Sequence, residues 1–303
     1  MYELMGFDWQ NLLINIKKQR CTPFIGAGAC SFKNEDGNPW LPLASKIANG
    51  WGEKYDYPLE DAWHLAKVAQ FVAIVSGDEM SPKIELNEIL DKIGPPNFSD
   101  QKYADIPHAV LADLNLPIYI TTNYDKLMED ALISRGKKPD SEYCRWNEVL
   151  EFAGDSLFKN RHYKPTKDKP LVYHLHGILD EPQSMVLTER DYIDFVINLT
   201  LDENLIPTVI RKALAMTSLL FIGYSLEDMN FRVIFQGIMN KIKTSFQFSS
   251  ISVQLPPTIS LEKRDNALEY LAKYTKNMFK VNIYWIDASE FSTELRNNIG
   301  KDN

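Results

Sequence analysis

The residues best able to do chemistry stand just past short apolar runs. Asn123 follows Pro117-Ile118-Tyr119-Ile120 within Thr121-Thr122-Asn123-Tyr124-Asp125, and His174 and His176 sit at the end of Leu171-Val172-Tyr173-His174-Leu175, just before Gly177. An amide at a strand end can donate and accept at once, which suits a sugar hydroxyl or a water molecule. A neutral imidazole can act as general base near pH 7. Two residues apart on an extended run, the histidines are expected to share a face, and a buried structural role is the alternative for either. No Cys or His cluster stands beside them to complete a metal site, so no metal is expected.

Two glycine turns complete the set. Gly26-Ala27-Gly28 follows Thr22-Pro23-Phe24-Ile25, and Gly223-Tyr224-Ser225 follows Ser218-Leu219-Leu220-Phe221-Ile222. A G-x-G turn after a strand lets backbone approach a diphosphate beside a helix N-terminus. Position 31 is serine, so the third glycine of the dinucleotide fingerprint is missing, and a tight turn without ligand explains the segment equally well. The G-x-x-x-x-G-K-[ST] phosphate loop is absent. Thr122 to Asp125, Thr188 to Asp191 and Ser225 to Asp228 fit the [ST]-x-x-[DE] capping box, whose simple explanation is a helix start. Asn123 lies inside the first box, where capping requires nothing of it.

Such turns need strands to hold them. The apolar runs at 22–25, 117–120, 171–175 and 218–222, with two more at 249–253 and 281–286, read as strands. Helical spacing marks the opening segment from Trp9, then 125–134, 191–198, 205–216, 227–242 and 261–279. Short apolar strands alternating with helices predict an α/β fold, a three-layer Rossmann-like doubly wound parallel sheet. Periodicity is helical from about Trp63 to Leu114, with breakers at Gly77 and Gly94-Pro95-Pro96, and a helical insertion is expected at about 52–116. In such a sheet, ligands lie beyond the carboxyl ends of the strands, near the point where strand order reverses. All four turns are therefore expected to face one crevice.

Composition narrows the function classes. With 303 residues, 41 acidic against 33 basic side chains and a formal charge of -8, the balance argues against a protein whose main task is gripping a nucleic-acid backbone, which usually needs a basic face. Cys21, Cys30 and Cys144 are odd in number and contain no C-x-x-C pair, so neither a disulfide framework nor a cysteine zinc module is expected, and a reducing cytoplasm suits them. No signal-like start and no apolar run near the ~20 residues of a membrane span is present, so neither secretion nor membrane insertion is expected.

Taken in order, Gly26-Ala27-Gly28, Thr121 to Asp125, His174-Leu175-His176-Gly177, Leu187-Thr188-x-x-Asp191-Tyr192 and Phe221-Ile222-Gly223-Tyr224-Ser225-Leu226-x-Asp228 resemble the sirtuin-like NAD-consuming domains of bacterial antiphage defence. The resemblance implies one NAD-binding catalytic domain over 1–303. It implies that Gly26, Ala27 and Gly28 take the NAD diphosphate, that Asn123 and Asp125 hold the nicotinamide-ribose side, that His176 is the catalytic histidine, and that Gly223 and Ser225 meet the adenosine part. Deacylating sirtuins carry a four-cysteine zinc module that this chain cannot build. The implied reaction is thus cleavage of NAD to nicotinamide and ADP-ribose with water as acceptor, by a regulated cytoplasmic effector of abortive infection. The resemblance also implies a homo-oligomer and a defence partner such as a HerA-type ATPase. A protein deacylase, an ADP-ribosyltransferase and a non-catalytic NAD or ADP-ribose binding module are the alternatives.

Overall fold

In the computed structural model, residues 7–224, 232–233, 235–238, 249–257 and 260–301 are described. Seven strands form one parallel sheet: β1 (Cys21–Ile25), β2 (Ile118–Thr121), β3 (Asp140–Tyr143), β4 (Leu171–His174), β5 (Ser218–Ile222), β6 (Ser250–Gln254) and β7 (Val281–Trp285), in the order β3-β4-β2-β1-β5-β6-β7. This is the doubly wound α/β architecture that the alternating pattern predicts. The chain leaves β1 towards β2 on one side and later returns to β5 on the other, so strand order reverses between β1 and β5. Register aligns Ile25 with both Thr121 and Ile222, and Thr121 with His174. The four carboxyl ends therefore lie in one row.

Period-two alternation in the strands feeds two cores. Cys21, Ile25, Tyr119, Val172, Leu220 and Ile222 face a layer containing α1 (Trp9–Lys17), α5 (Pro107–Asp113), α6 (Leu127–Ser134) and the helix Ala288–Lys301. Phe24, Ile120, Tyr173, Leu219 and Phe221 face the opposite layer, with Leu150 of α7 (Glu148–Glu151), α8 (Glu189–Leu201), α9 (Thr208–Met216) and Phe279 at the end of the helix Leu261–Phe279. A third cluster joins α2 (Ala44–Lys54), α3 (Leu65–Ser76) and α4 (Ser81–Asp91) to Met185 and Leu187, which follow β4. Within the helical stretch, α5 thus packs against the sheet, while α2 to α4 form a core of their own.

Three features depart from the sequence pattern. Strand β3, Asp-Ser-Glu-Tyr, has no apolar run because it is the sheet edge, where one side is open and polar side chains are tolerated. Helix α2 begins before the expected insertion. The third concerns the capping boxes. Thr188 and Asp191 form theirs reciprocally at the start of α8. Thr122 and Asp125 do not: the Thr122 hydroxyl pairs with the Tyr224 hydroxyl at 2.5 Å, and Asp125 Oδ1 instead accepts from Leu127 N–H. Ser225 to Asp228, and most of the expected helix at 227–242, lie outside the described residues.

The β1–β5 junction constrains the sequence most tightly. Gly223 has φ +74°, and a Cβ there would fall 2.1 Å from Ala29 N. Backbone strain and a clash with unyielding main chain coincide at this position, so Gly223→Ala is expected to cost at least ~2 kcal/mol. Thermal melting checks this: Tm should fall by several degrees, and an unchanged Tm would mean that the two turns do not meet this closely.

Candidate active site

The aligned strand ends open into a cavity of about 510 Å³, lined on its polar side by Ala27, Gly28, Cys30, Asn123, Asp125, His176 and Gly223 and on the other by Leu41, Leu43, Ile47, Leu65, Leu86 and Leu90. Six of the eight residues expected from sequence thus share one cavity. Gly26 lies beneath it, and Ser225 is outside the described residues. The apolar half was not foreseen. It comes from residues 41–47 and from α3 and α4, whose leucines read in sequence as ordinary helix core.

The glycine turn is built for close packing. Gly26 N–H donates to Ile222 O and Gly28 N–H to Gly223 O, both at 2.9 Å. Those amides are therefore already used. A Cβ on Gly26 or Gly28 would lie 2.7 Å or 2.9 Å from Gly223 O. The glycines let β1 meet β5, and the bare backbone left at Ala27 and Gly28 is what faces the cavity.

Asn123 is held from three sides. Its N–H donates to Thr121 Oγ1 at 2.9 Å, and its side-chain amide donates to Gly26 O at 3.3 Å and to Cys30 Sγ at 3.2 Å. Its carbonyl accepts from His174 Nδ1 at 3.1 Å, while His174 Nε2 donates to Glu129 Oε1 at 2.7 Å. Both neighbours of His174 are acceptors only, so both ring nitrogens carry protons and the imidazolium pairs with the Glu129 carboxylate. Burial alone would lower the His174 pKa, but the adjacent Glu129 raises it above the usual value; Glu129 is held below its own by His174 and by the Ser141 hydroxyl, against the opposing effect of burial.

His176 differs in every respect. Because β4 ends at His174, the two histidines do not share a face as their spacing predicts: His176 packs edge-on against Tyr192 and Phe195 of α8, with ring centroids 5.6 Å and 5.5 Å away. Burial pushes its pKa down to about 3, so the imidazole is neutral, and Nε2 has no hydrogen-bond partner. The ring lies on the cavity wall with Nε2 buried and unpaired. Gly177, at φ +90°, then turns the chain back so sharply that a Cβ would fall 2.2 Å from Ser184 O. Lys83 of α4, itself buried, pairs with the partly buried Asp191 at 2.9 Å, tying the helical cluster to the start of α8.

Asp125 is half-buried, and burial raises its pKa. Its Oδ2 accepts from the Cys30 thiol at 3.6 Å, and His108 Nε2 lies 4.0 Å from the same sulfur. In sequence, Cys30 is one of three scattered cysteines and His108 falls inside the helical stretch. Nothing in their spacing, 78 residues apart, signals that they meet.

Residues 117–277, just over half of the chain, match the family described as SIR2-like domain. Among curated proteins, the chain is 28% identical over 218 residues to an NAD(+) hydrolase ThsA of Cytobacillus dafuensis, covering 71% of this chain and 37% of that protein. It is 26% identical over 172 residues to the NAD(+) hydrolase ThsA of Bacillus cereus, covering 56% and 28%, and 29% identical over 229 residues to the Defense-associated sirtuin 2 of Bacillus subtilis, covering 74% and 20%. The matched stretch thus spans about a third or less of each relative's length.

Protonation of the buried histidines sets an acid limit on the fold. His176 and His108 are depressed to about 3 and about 4 by burial. Below pH 6.5 the unfolded chain takes up protons that the folded one refuses, so each lowers stability by up to ~1.4 kcal/mol per pH unit as the pH falls. His174 acts oppositely, since its raised pKa makes its contribution complete below pH 6.5 and lost as pH climbs through that raised value. Tm measured from pH 7 to pH 5 should fall, and His176→Phe should flatten the fall. An unaltered slope in that variant would show that folded His176 protonates freely.

Proposed function

The chain belongs to the SIR2-like domain family, and from that premise we propose that it hydrolyses NAD to nicotinamide and ADP-ribose. The observation that carries this reading is the convergence of Asn123, Asp125 and His176 on one cavity beside the glycine turn at the strand-order switch. Similarity to relatives named NAD(+) hydrolase supports the same reaction.

In this reading the diphosphate lies along the bare backbone at Ala27 and Gly28, with Gly26 supporting the turn and Gly223 towards the adenosine. The nicotinamide ribose lies between Asn123, Asp125 and His176. Pyridinium is a good leaving group, so the barrier is the formation of an oxocarbenium-like ribose and the placing of a nucleophile. Asn123 orients the ribose or the attacking water, its own amide fixed by Gly26 and its carbonyl by His174. Asp125 offers a carboxylate to a ribose hydroxyl and negative potential to the developing cation. Neutral His176 is the proposed catalytic partner of a ribose hydroxyl or of the attacking water, which it holds by a hydrogen bond at Nε2. The water oxygen bonds to the anomeric carbon, the glycosidic electrons pass to the ring nitrogen, and one proton is released. The leucines of α3 and α4 exclude bulk water, which strengthens each of these charge interactions.

The wider role follows from the same likeness: a cytoplasmic effector of antiphage defence that depletes NAD. An enzyme of this kind must be restrained, and assembly into a homo-oligomer or contact with a defence partner such as a HerA-type ATPase is the proposed control. We read 1–303 as one catalytic domain whose helical insertion, at about 52–116, covers the pocket. Three buried free cysteines suit a reducing compartment. Among the described residues, no helix is long and apolar enough to cross a membrane.

Incubation with NAD, followed by chromatography of nicotinamide and ADP-ribose, tests the reading. Turnover without an acyl-lysine substrate is expected, and Asn123→Ala and His176→Ala should each lower it by ~10²-fold or more in chains that circular dichroism shows to be folded. Full activity in both variants would remove the site assignment. Intact NAD that still stabilises the chain thermally would make it a binding module.

A further inference from the structure

Cys30 Sγ, His108 Nε2 and an oxygen of Asp125 all lie within 4.8 Å of one another at the cavity floor. Cys30 and His108 are buried and Asp125 half-buried. The imidazole of His108 is 1% exposed and poorly satisfied: Nδ1 has no partner, and Nε2 reaches only the sulfur, at 4.0 Å. Asp125 Oδ1 is occupied by Leu127 N–H, which leaves Oδ2 turned to the thiol at 3.6 Å. Cys30 and Asp125 line the cavity, so a fourth direction opens into it.

We propose that these three side chains form a site for a zinc-like divalent ion that inhibits the enzyme. Tetrahedral zinc takes sulfur at ~2.3 Å and nitrogen or oxygen at ~2.0–2.2 Å, which sets its donors ~3.3–3.7 Å apart. The sulfur–carboxylate edge at 3.6 Å already fits, the sulfur–imidazole edge at 4.0 Å is long by tenths of an ångström, and the imidazole–carboxylate edge, within 4.8 Å, closes by up to ~1.4 Å as the His108 ring shifts. One thiolate, one imidazole and one carboxylate select zinc or cobalt over magnesium or calcium, which prefer all-oxygen sites. On binding, the metal–sulfur bond forms as the thiol proton leaves to solvent. The fourth position is left to water or to a ligand in the cavity.

The consequence for catalysis rests on the NAD-hydrolase reading. The metal takes the Asp125 oxygen that would face the ribose and, with the thiol proton gone, cancels the negative charge of that carboxylate beside the carbon where cationic character develops. It therefore opposes the transition state, and turnover itself requires no metal.

The test uses the full chain, freed of metal by a chelator that is then removed. Cobalt(II) is titrated in and the sulfur-to-cobalt charge-transfer absorption is read in the wild type, in Cys30→Ser, in His108→Gln and in Cys144→Ser as a buried-thiol control. One equivalent should bind in the wild type and in the control, with the band lost in Cys30→Ser and weakened at least tenfold in apparent affinity in His108→Gln, each folded by circular dichroism. Zinc should displace the cobalt, and magnesium should not. NAD cleavage is then compared with and without one equivalent of zinc within each protein: a drop of tenfold or more, reversed by chelator, is expected in the wild type and none in Cys30→Ser. A missing band, or one that survives in Cys30→Ser, overturns the site. Cobalt binding through Cys30 with zinc-insensitive turnover overturns the inhibition. Cobalt binding in a chain that never cleaves NAD overturns the catalytic reading and leaves the metal site standing.

Discussion

The structure depends on one close approach of main chain to main chain, where the turn after β1 lies against the turn after β5. Gly26 and Gly28 donate to Ile222 and Gly223, and Tyr224 caps the junction by donating to Ile25 O at 3.1 Å while pairing with Thr122. These contacts leave no room for side chains at Gly26, Gly28 and Gly223. They also bring three strand ends into one rigid row. A cavity at that row is bounded by backbone that cannot relax, which is the condition for holding reactive groups in fixed geometry. The glycines thus have a packing reason that precedes any ligand.

Beneath the row, charge is used to position. His174 and Glu129 form a buried pair, and removing either partner alone would strand a charge at a cost of ~3–5 kcal/mol. Their place under Asn123 ties the orientation of that residue to the α6 layer. His176 lies on the other side of the sheet's end, neutral because nothing compensates a charge there. Two histidines separated by one residue therefore have opposite protonation states. The difference arises from where β4 stops and which helix each ring meets.

Much of this was legible in the sequence. Six strands, the parallel class and the convergence of the turns at 26–28, 123–125, 176 and 223 follow from apolar runs that end in polar or glycine residues. Strand β3 did not, because an edge strand needs no apolar alternation. The capping box at Thr122 was misleading, since its hydroxyl found a tertiary partner in Tyr224 that no local pattern encodes. The cavity's apolar half and the meeting of Cys30, His108 and Asp125 were illegible for the same reason. They are products of how α2 to α5 fold back over the sheet, and helical periodicity reports that a face is buried but not against what.

The central claim is that the switch-point cavity holds NAD with its nicotinamide ribose between Asn123 and His176. A crystal structure of the Asn123→Ala chain soaked with NAD tests it most directly. The account predicts the diphosphate against Ala27 and Gly28 and a nicotinamide-ribose hydroxyl within hydrogen-bond distance of His176 Nε2. NAD bound in the reverse sense, or away from this cavity, would contradict it.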